Sequence, residues 1–335
     1  MRHRGLAKIS ISRKARLLHH TYTWARILGE STYVLHGHSG PVQGCLQKYL
    51  TSTTSSREQH SIATPHTSGP GSRLDDFLRV GPHQSDSDLD IEETKEPHAS
   101  LHDIHLEDSR ENPDTMYAEI YGVSETWLSL LSQSTRLANR IDGMKESGVT
   151  DAVLNESIAK RSARLEDMVC SFASQFSPKT SSDKWTPNNH MHKALNSALV
   201  IFFYRRIRNV NALILQSHVD DVITALDQFD QSLSKRSQEG PGSVWPAFIA
   251  GCEATSKDKQ DRLLHWIEKA ASVTGFHAYT MSSELLRELI SRKNEAPATE
   301  GARAGTRSSV RKPKSTQSMT WVDLCRERKT WLMAF

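Results

Sequence analysis

Apolar residues recur every three to four positions along most of this chain, with polar and charged residues between them. That spacing is typical of amphipathic helices. Between Ala194 and Tyr204 the sequence is apolar nearly all round, as expected for a central helix packed on several sides. No segment has the pattern of a strand of convincing length. The pattern predicts helices over residues 8–30, 113–147, 150–172, 188–208, 214–233, 245–249, 257–273, 281–292 and 320–333.

Stretches without this periodicity divide the chain into five parts. Residues 1–35 hold the N-terminal helix of the helical domain, and 36–111 form a low-complexity and acidic insertion, expected to be mostly disordered. Residues 112–291 are the main helical regulatory domain, 292–317 a basic linker and 318–335 a C-terminal helix. We therefore predict an all-α fold, an irregular array of packed antiparallel helices with long disordered insertions.

The insertion ends in an acidic tract over residues 86–111. Like charges repel one another in water, so such a tract favours an extended, solvated chain. Ser85 and Ser87 each have an aspartate three positions later, a pattern that acidophilic kinases favour. The tract is interpreted mainly as a solvated charge run, with a regulated phosphorylation site as the alternative.

Composition and charge exclude several classes of protein. The formal net charge is only +3, so nucleic-acid binding would need a local basic patch. The longest apolar run, Ala198 to Tyr204, is far shorter than the roughly 20 residues that cross a bilayer. One local patch, Arg311, Lys312 and Lys314, has the composition of a nuclear import signal, with a solvated linker as the alternative.

The sequence contains no motif that predicts catalysis or metal binding. The four cysteines lie far apart and form no close pair, so we expect reduced thiols. The histidine pairs at 102/105 and 190/192 are interpreted as solvated or capping residues, because a zinc site needs three or four rigid ligands. The tryptophans are interpreted as core anchors, with a ligand cavity as the alternative. We predict no catalytic, cofactor-binding or metal-ligating residue, and no enzyme.

Several stretches resemble one known family. They are Ile11–His20, Leu74–Arg79, Leu101–Asp108, Phe202–Arg206, Gly240–Cys252, Thr320–Cys325 and Trp331–Met333. Together, and in this order, they resemble the fungal-specific transcription factor domain of zinc binuclear cluster regulators, in the branch that regulates arginine metabolism. The resemblance runs from about Ile9 to the C-terminus and is interrupted by the insertion.

The resemblance implies the all-helical middle homology region of a nuclear regulator of RNA polymerase II transcription. In that family, DNA is recognised by a separate cluster of six closely spaced cysteines, which this chain does not contain; zinc is expected only there. The implied partners are proteins of the transcription machinery, with a homodimer and a small-molecule effector as further possibilities and no membrane. The alternative function is a helical small-molecule sensor or dimerisation module without DNA-binding activity of its own.

Overall fold

The computed structural model describes residues 13–34, 121, 123, 125–147, 152–175, 186–236, 240, 242–295 and 319–332. Within these residues there is no strand, so the predicted all-α fold is confirmed. The helices are α1 (Arg13–Ser31), α2 (Glu125–Ser147), α3 (Ala152–Gln175), α4 (Pro187–Arg206), α5 (Gln216–Lys235), α6 (Trp245–Glu253), α7 (Lys257–Thr274), α8 (His277–Glu295) and α9 (Trp321–Arg328), with a 3-10 helix at Ala212–Leu215 before α5.

Several predicted helix bounds differ from those in the described residues; helix α8, for example, begins at His277 and not at residue 281. The helix predicted over 113–147 is interrupted at Val123, which is buried but not helical. Gly122 precedes it in the sequence, and glycine is a poor helix former. The helix predicted to begin at Asn188 begins at Pro187, with Thr186 as the N-cap. Proline suits the first helical position because it has no N–H to leave unpaired.

The second half of the body is a stack of antiparallel helix pairs. His190 near the start of α4 is hydrogen-bonded to Gln228 near the end of α5, so these two helices run in opposite directions. Gly275, with a φ of 65°, ends α7, and the chain turns back into α8. Helix α6 lies among α4, α5, α7 and α8 and is buried along its whole length. The short buried helix predicted at 245–249 is therefore confirmed and extends to Glu253.

Three ion pairs join α5 to α7, which run parallel to each other. The Lys259 nitrogen lies 2.8 Å from a carboxylate oxygen of Asp220, and the Lys269 nitrogen lies 2.6 Å from one of Asp230. The third pair, Asp227 with Arg262, is located between these two along the helices. The acidic side chains all come from α5 and the basic ones from α7. Most of these side chains are substantially exposed, so each pair adds at most about 1 kcal/mol to the free energy of unfolding. The main effect of the three pairs is to align α5 with α7.

Tryptophans bind the first half of the chain to the second, as predicted for Trp24, Trp127 and Trp245. The Trp127 ring of α2 lies 6.0 Å from Trp24 of α1 and makes an edge contact, at 5.7 Å, with Trp245 of α6. Trp127 and Trp245 are fully buried. The indole nitrogen of Trp245 donates to the hydroxyl of Ser31, at 2.8 Å. Helix α1 therefore belongs to the same packed core as the main helical segment.

The insertion over 36–111, the import-signal residues Arg311, Lys312 and Lys314, and the histidine pair at 102/105 lie outside the described residues. Helix α8 continues through Glu295, and residues 296–318 after it lie outside the described residues. No helix in the described ranges is both long and apolar enough to span a membrane.

Candidate functional site

Two adjacent arginines end α4 and point to different neighbours. Because successive helical residues are about 100° apart, Arg205 faces the end of α6 while Arg206 faces α2 and α9. Both guanidinium side chains are only 9% exposed. We call the set Asp142, Arg205, Arg206, Glu253 and Arg326 the arginine junction.

On one side of the junction, Arg205 pairs with the last residue of α6. Its Nε lies 2.7 Å from Oε2 of Glu253, whose side chain is 3% exposed. Burial raises the pKa of Glu253, and the positive charges of Arg205 and Lys293 oppose that rise. The ammonium of Lys293 also donates to the carbonyl of Cys252, at 2.6 Å. A cation at the carboxyl end of a helix is favoured by the helix dipole, so this contact holds α8 against α6.

On the other side, one carboxylate oxygen serves two arginines. Asp142 Oδ2 lies 3.0 Å from Arg206 and 3.4 Å from Arg326. The guanidinium carbon of Arg206 also lies 5.7 Å from the ring centre of Trp321, a cation–π contact. Helices α2, α4 and α9 therefore meet at a largely buried cluster of two positive charges and one negative charge.

Helix α9 is capped at its start, where Trp321 packs against Phe248, and is joined to α8 by ion pairs at its end. Thr320 and Asp323 form a reciprocal capping box at its start. At its end, Arg328 pairs with Glu288 of α8, and Glu327 lies 2.7 Å from Arg292. The 2.7 Å contact lowers the pKa of Glu327. The short C-terminal helix is thus part of the packed structure, as its apolar pattern predicted.

The predicted histidine environment is wrong for His190 and His192. Both are only 5% exposed and face different neighbouring helices, so they are not the solvated or capping residues that the sequence predicts. Burial lowers the pKa of His192 to about 4, and burial also lowers that of His190. The His192 ring lies 6.2 Å from Phe172 of α3. Their burial could not be predicted because the sequence does not show that α3 covers this end of α4.

The described residues contain no candidate metal site, and two of their cysteines are buried. No group of three or more His, Cys, Asp or Glu residues in them could hold a metal ion. The thiols of Cys252 and Cys325 are buried, and burial raises both pKa values, that of Cys325 to about 12. A nucleophilic cysteine needs the opposite shift. These two cysteines therefore act as small packing residues.

Three stretches that resembled the regulator family in sequence pack together around the arginine junction, and one of them supplies two of its residues. The segment Phe202–Arg206 supplies both α4 arginines, Gly240–Cys252 supplies α6, and Thr320–Cys325 supplies Trp321. Rings from these segments touch: Phe202 lies 5.9 Å from Trp245, and Phe248 lies 6.1 Å from Trp321. The resemblance therefore follows one three-dimensional core.

Comparison with known proteins agrees with the resemblance that these stretches show. The model of the family described as Fungal specific transcription factor domain matches residues 1–335. The chain belongs to this family. It is also similar to Arginine metabolism regulation protein II of Saccharomyces cerevisiae, with 24% identity over 98 residues. That match covers 29% of this chain and 11% of the yeast protein. No solved structure matches the chain. Membership places the chain among transcription regulators.

Proposed function

We propose that this chain is the regulatory region of a nuclear factor that controls RNA polymerase II transcription of genes for arginine metabolism. The similarity to the yeast arginine regulator supports the choice of pathway. The observation that carries the proposal is the packing around the arginine junction, where three of the family-like stretches meet in one helical core. A rigid helical body of this kind acts through the proteins that it contacts.

A reporter experiment tests regulation directly. The chain is fused to an unrelated DNA-binding domain, and reporter transcription is measured in fungal cells with and without arginine. We expect the fusion to change transcription and arginine to alter that change. Trp245→Ala should abolish the effect, because it empties the centre of the core. The matched control is Phe276→Ser, at a residue that is 60% exposed. A fusion that equals the DNA-binding domain alone in both conditions would contradict the proposal.

DNA contact is assigned to a zinc cluster outside this chain. The chain has only four cysteines, all far apart, whereas the family's cluster uses six that are closely spaced. In a mobility-shift experiment the chain alone should give no sequence-specific complex. A specific complex that survives competition by unrelated DNA would show that the chain reads DNA itself.

Nuclear entry is assigned to Arg311, Lys312 and Lys314. A fluorescent fusion carrying alanine at these three positions should lose nuclear accumulation. Alanine at Lys257, Lys160 and Arg164, which are exposed on α7 and α3, removes the same charge elsewhere and should have no effect. Unchanged accumulation in the first variant would exclude these residues as the import signal.

A sensor function is the second candidate, and Asn196 favours it. This side chain is 5% exposed, and neither atom of its amide has a hydrogen-bond partner within the described residues. Such an amide costs about 1–3 kcal/mol unless water or a ligand binds it. Arginine at millimolar concentration should raise the melting temperature of the chain, because binding to the native state stabilises it. Asn196→Leu should remove the shift. No shift in the unaltered chain would exclude arginine as the ligand.

A further inference from the structure

The outer face of α1 is apolar although it faces solvent. Leu18 is 68% exposed and Tyr22 60%, and they lie one turn apart, with Leu17, at 46%, beside Leu18. Lys14 is also exposed, one turn before Leu18. The opposite side of the same helix is buried through Trp24, Ile27 and Leu28. Helix α1 therefore carries a second, exposed stripe, which we call the outer stripe: the apolar side chains of Leu17, Leu18 and Tyr22, with Lys14 at its start.

The charge of α1 restricts what can cover the outer stripe. Its sequence contains Arg13, Lys14, Arg16 and Arg26 but no acidic residue before Glu30. Glu30 is itself paired with Arg26, at 2.9 Å, and is buried. An apolar stripe on a cationic helix matches a segment that combines acidic residues with leucine or isoleucine.

This chain contains such a segment. Residues 86–111 are rich in aspartate and glutamate, and Leu101, Ile104 and Leu106 lie among them. Charge and apolar composition are therefore complementary between residues 86–111 and α1.

The path of the chain keeps this segment near α1. Residues 35–120 leave from the end of α1, where Val34 is buried, and return to its middle, where the Tyr121 ring stacks on Trp24 at 4.3 Å. Glu111 is separated from Tyr121 by residues 112–120, which span at most about 35 Å. From Trp24 back to Lys14, α1 is only about 15 Å long. The acidic segment can therefore reach the outer stripe without moving the core.

We propose that residues 86–111 bind the outer stripe of α1 within the same chain. Aliphatic side chains of the segment cover Leu18 and Tyr22, and its carboxylates neutralise Lys14 and the neighbouring arginines. Because both partners are tethered, a high effective concentration compensates for a small contact area. This inference concerns α1 alone and does not depend on which genes the protein controls.

Carbodiimide cross-linking of the full chain tests the contact, because it joins lysines to carboxylates that already touch. Mass spectrometry should find Lys14 joined to carboxylates of residues 86–111, about fivefold more often than the exposed Lys160 of α3, given tethering at one site. The excess should fall at 0.5 M salt, where charges are screened. Equal yields from Lys14 and Lys160 would overturn the proposal.

Substitutions distinguish a direct contact between residues 86–111 and the outer stripe from mere closeness along the chain. Leu18→Ser with Tyr22→Ser, and separately Leu101→Ser with Ile104→Ser, should both reduce the Lys14 cross-links to the Lys160 level. Leu213→Ser with Ile214→Ser removes two other exposed apolar side chains and should leave them unchanged. The second pair lies in the segment itself, so it remains informative if the α1 variant fails to fold. Cross-links that form only between isotopically distinct copies in a mixed sample would assign the face to a second copy and overturn the proposal.

Discussion

The indole nitrogen of Trp331 donates a hydrogen bond to the backbone carbonyl of Gly29, over 3.0 Å. The two residues are 302 positions apart, so this bond joins the segment after α9 to the end of α1. The Trp331 ring also meets Tyr33 edge-on at 5.1 Å, and Thr32 donates to the carbonyl of Leu332. The end of α1 and the segment after α9 thus pack against each other in the same core.

Replacing Trp331 by phenylalanine should lower the free energy of unfolding by about 1–2 kcal/mol, because the hydrogen bond to Gly29 is lost while much of the packing remains. Trp331→Ala should cost more, about 3 kcal/mol, since it also removes the ring. Urea unfolding followed by circular dichroism measures both. Val273→Ser, at a 64% exposed residue, is the control and should stay within about 0.5 kcal/mol. Equal stability of all three variants would show that the terminal contact contributes nothing.

Asp142→Asn should destabilise the chain by about 3 kcal/mol, because it leaves two arginines at a largely buried site without their shared carboxylate. The matched control is Asp227→Asn, which breaks the ion pair with Arg262, whose side chains are about half exposed. That change should cost at most about 1 kcal/mol. Chemical denaturation of the two variants side by side measures the difference. If the two losses were the same, the arginine junction would have no special role in stability.

Alanine substitutions at three glycines distinguish the cost of backbone strain from the cost of steric crowding. Gly242 has a φ of 66°, and a β-carbon there would collide with Met191 and crowd Phe229. Gly275 has a φ of 65° but open space, and Gly240 has neither constraint. Alanine should therefore cost about 1 kcal/mol at Gly275, clearly more at Gly242 and close to nothing at Gly240. The melting temperature should be highest for Gly240→Ala, intermediate for Gly275→Ala and lowest for Gly242→Ala. A Gly240→Ala variant as unstable as Gly242→Ala would contradict this account.

His192 should make the native state less stable in mild acid. Burial lowers its pKa to about 4 from an ordinary value of 6.5, so the unfolded chain binds the extra proton first. Stability should therefore fall as the pH decreases from about 6.5 towards 4, by up to about 1.4 kcal/mol per pH unit from this group. His192→Gln should show a smaller loss over the same interval.

The comparison with His192→Gln is needed because other buried groups also titrate. Burial raises the pKa of Glu30 and Glu253, which changes stability with pH in the opposite direction. His190 has a lowered pKa and acts in the same direction as His192. Subtracting the variant's pH profile from that of the unaltered chain isolates His192. Two parallel profiles would show that this histidine does not titrate in the interval.

The candidate site was less predictable than the helices. Arg205 and Arg206 were visible only as the end of an apolar run, and nothing in the sequence joins them to Glu253, Asp142 or Arg326. Partners so far apart in sequence are selected by helix packing, which periodicity does not encode. The same reason explains why His190 and His192 were expected to be solvated.

By itself, the sequence determined that this chain is helical, which segments form most of the helices, and that Trp24, Trp127 and Trp245 belong to the core. These features follow from local spacing, since an apolar stripe must be buried wherever it occurs. Only the tertiary structure decided that α6 lies at the centre, that α1 and α9 meet, and that one aspartate serves two arginines. Those relationships depend on which apolar helix faces pack together, and many different pairings of helices are compatible with the same local pattern of apolar residues.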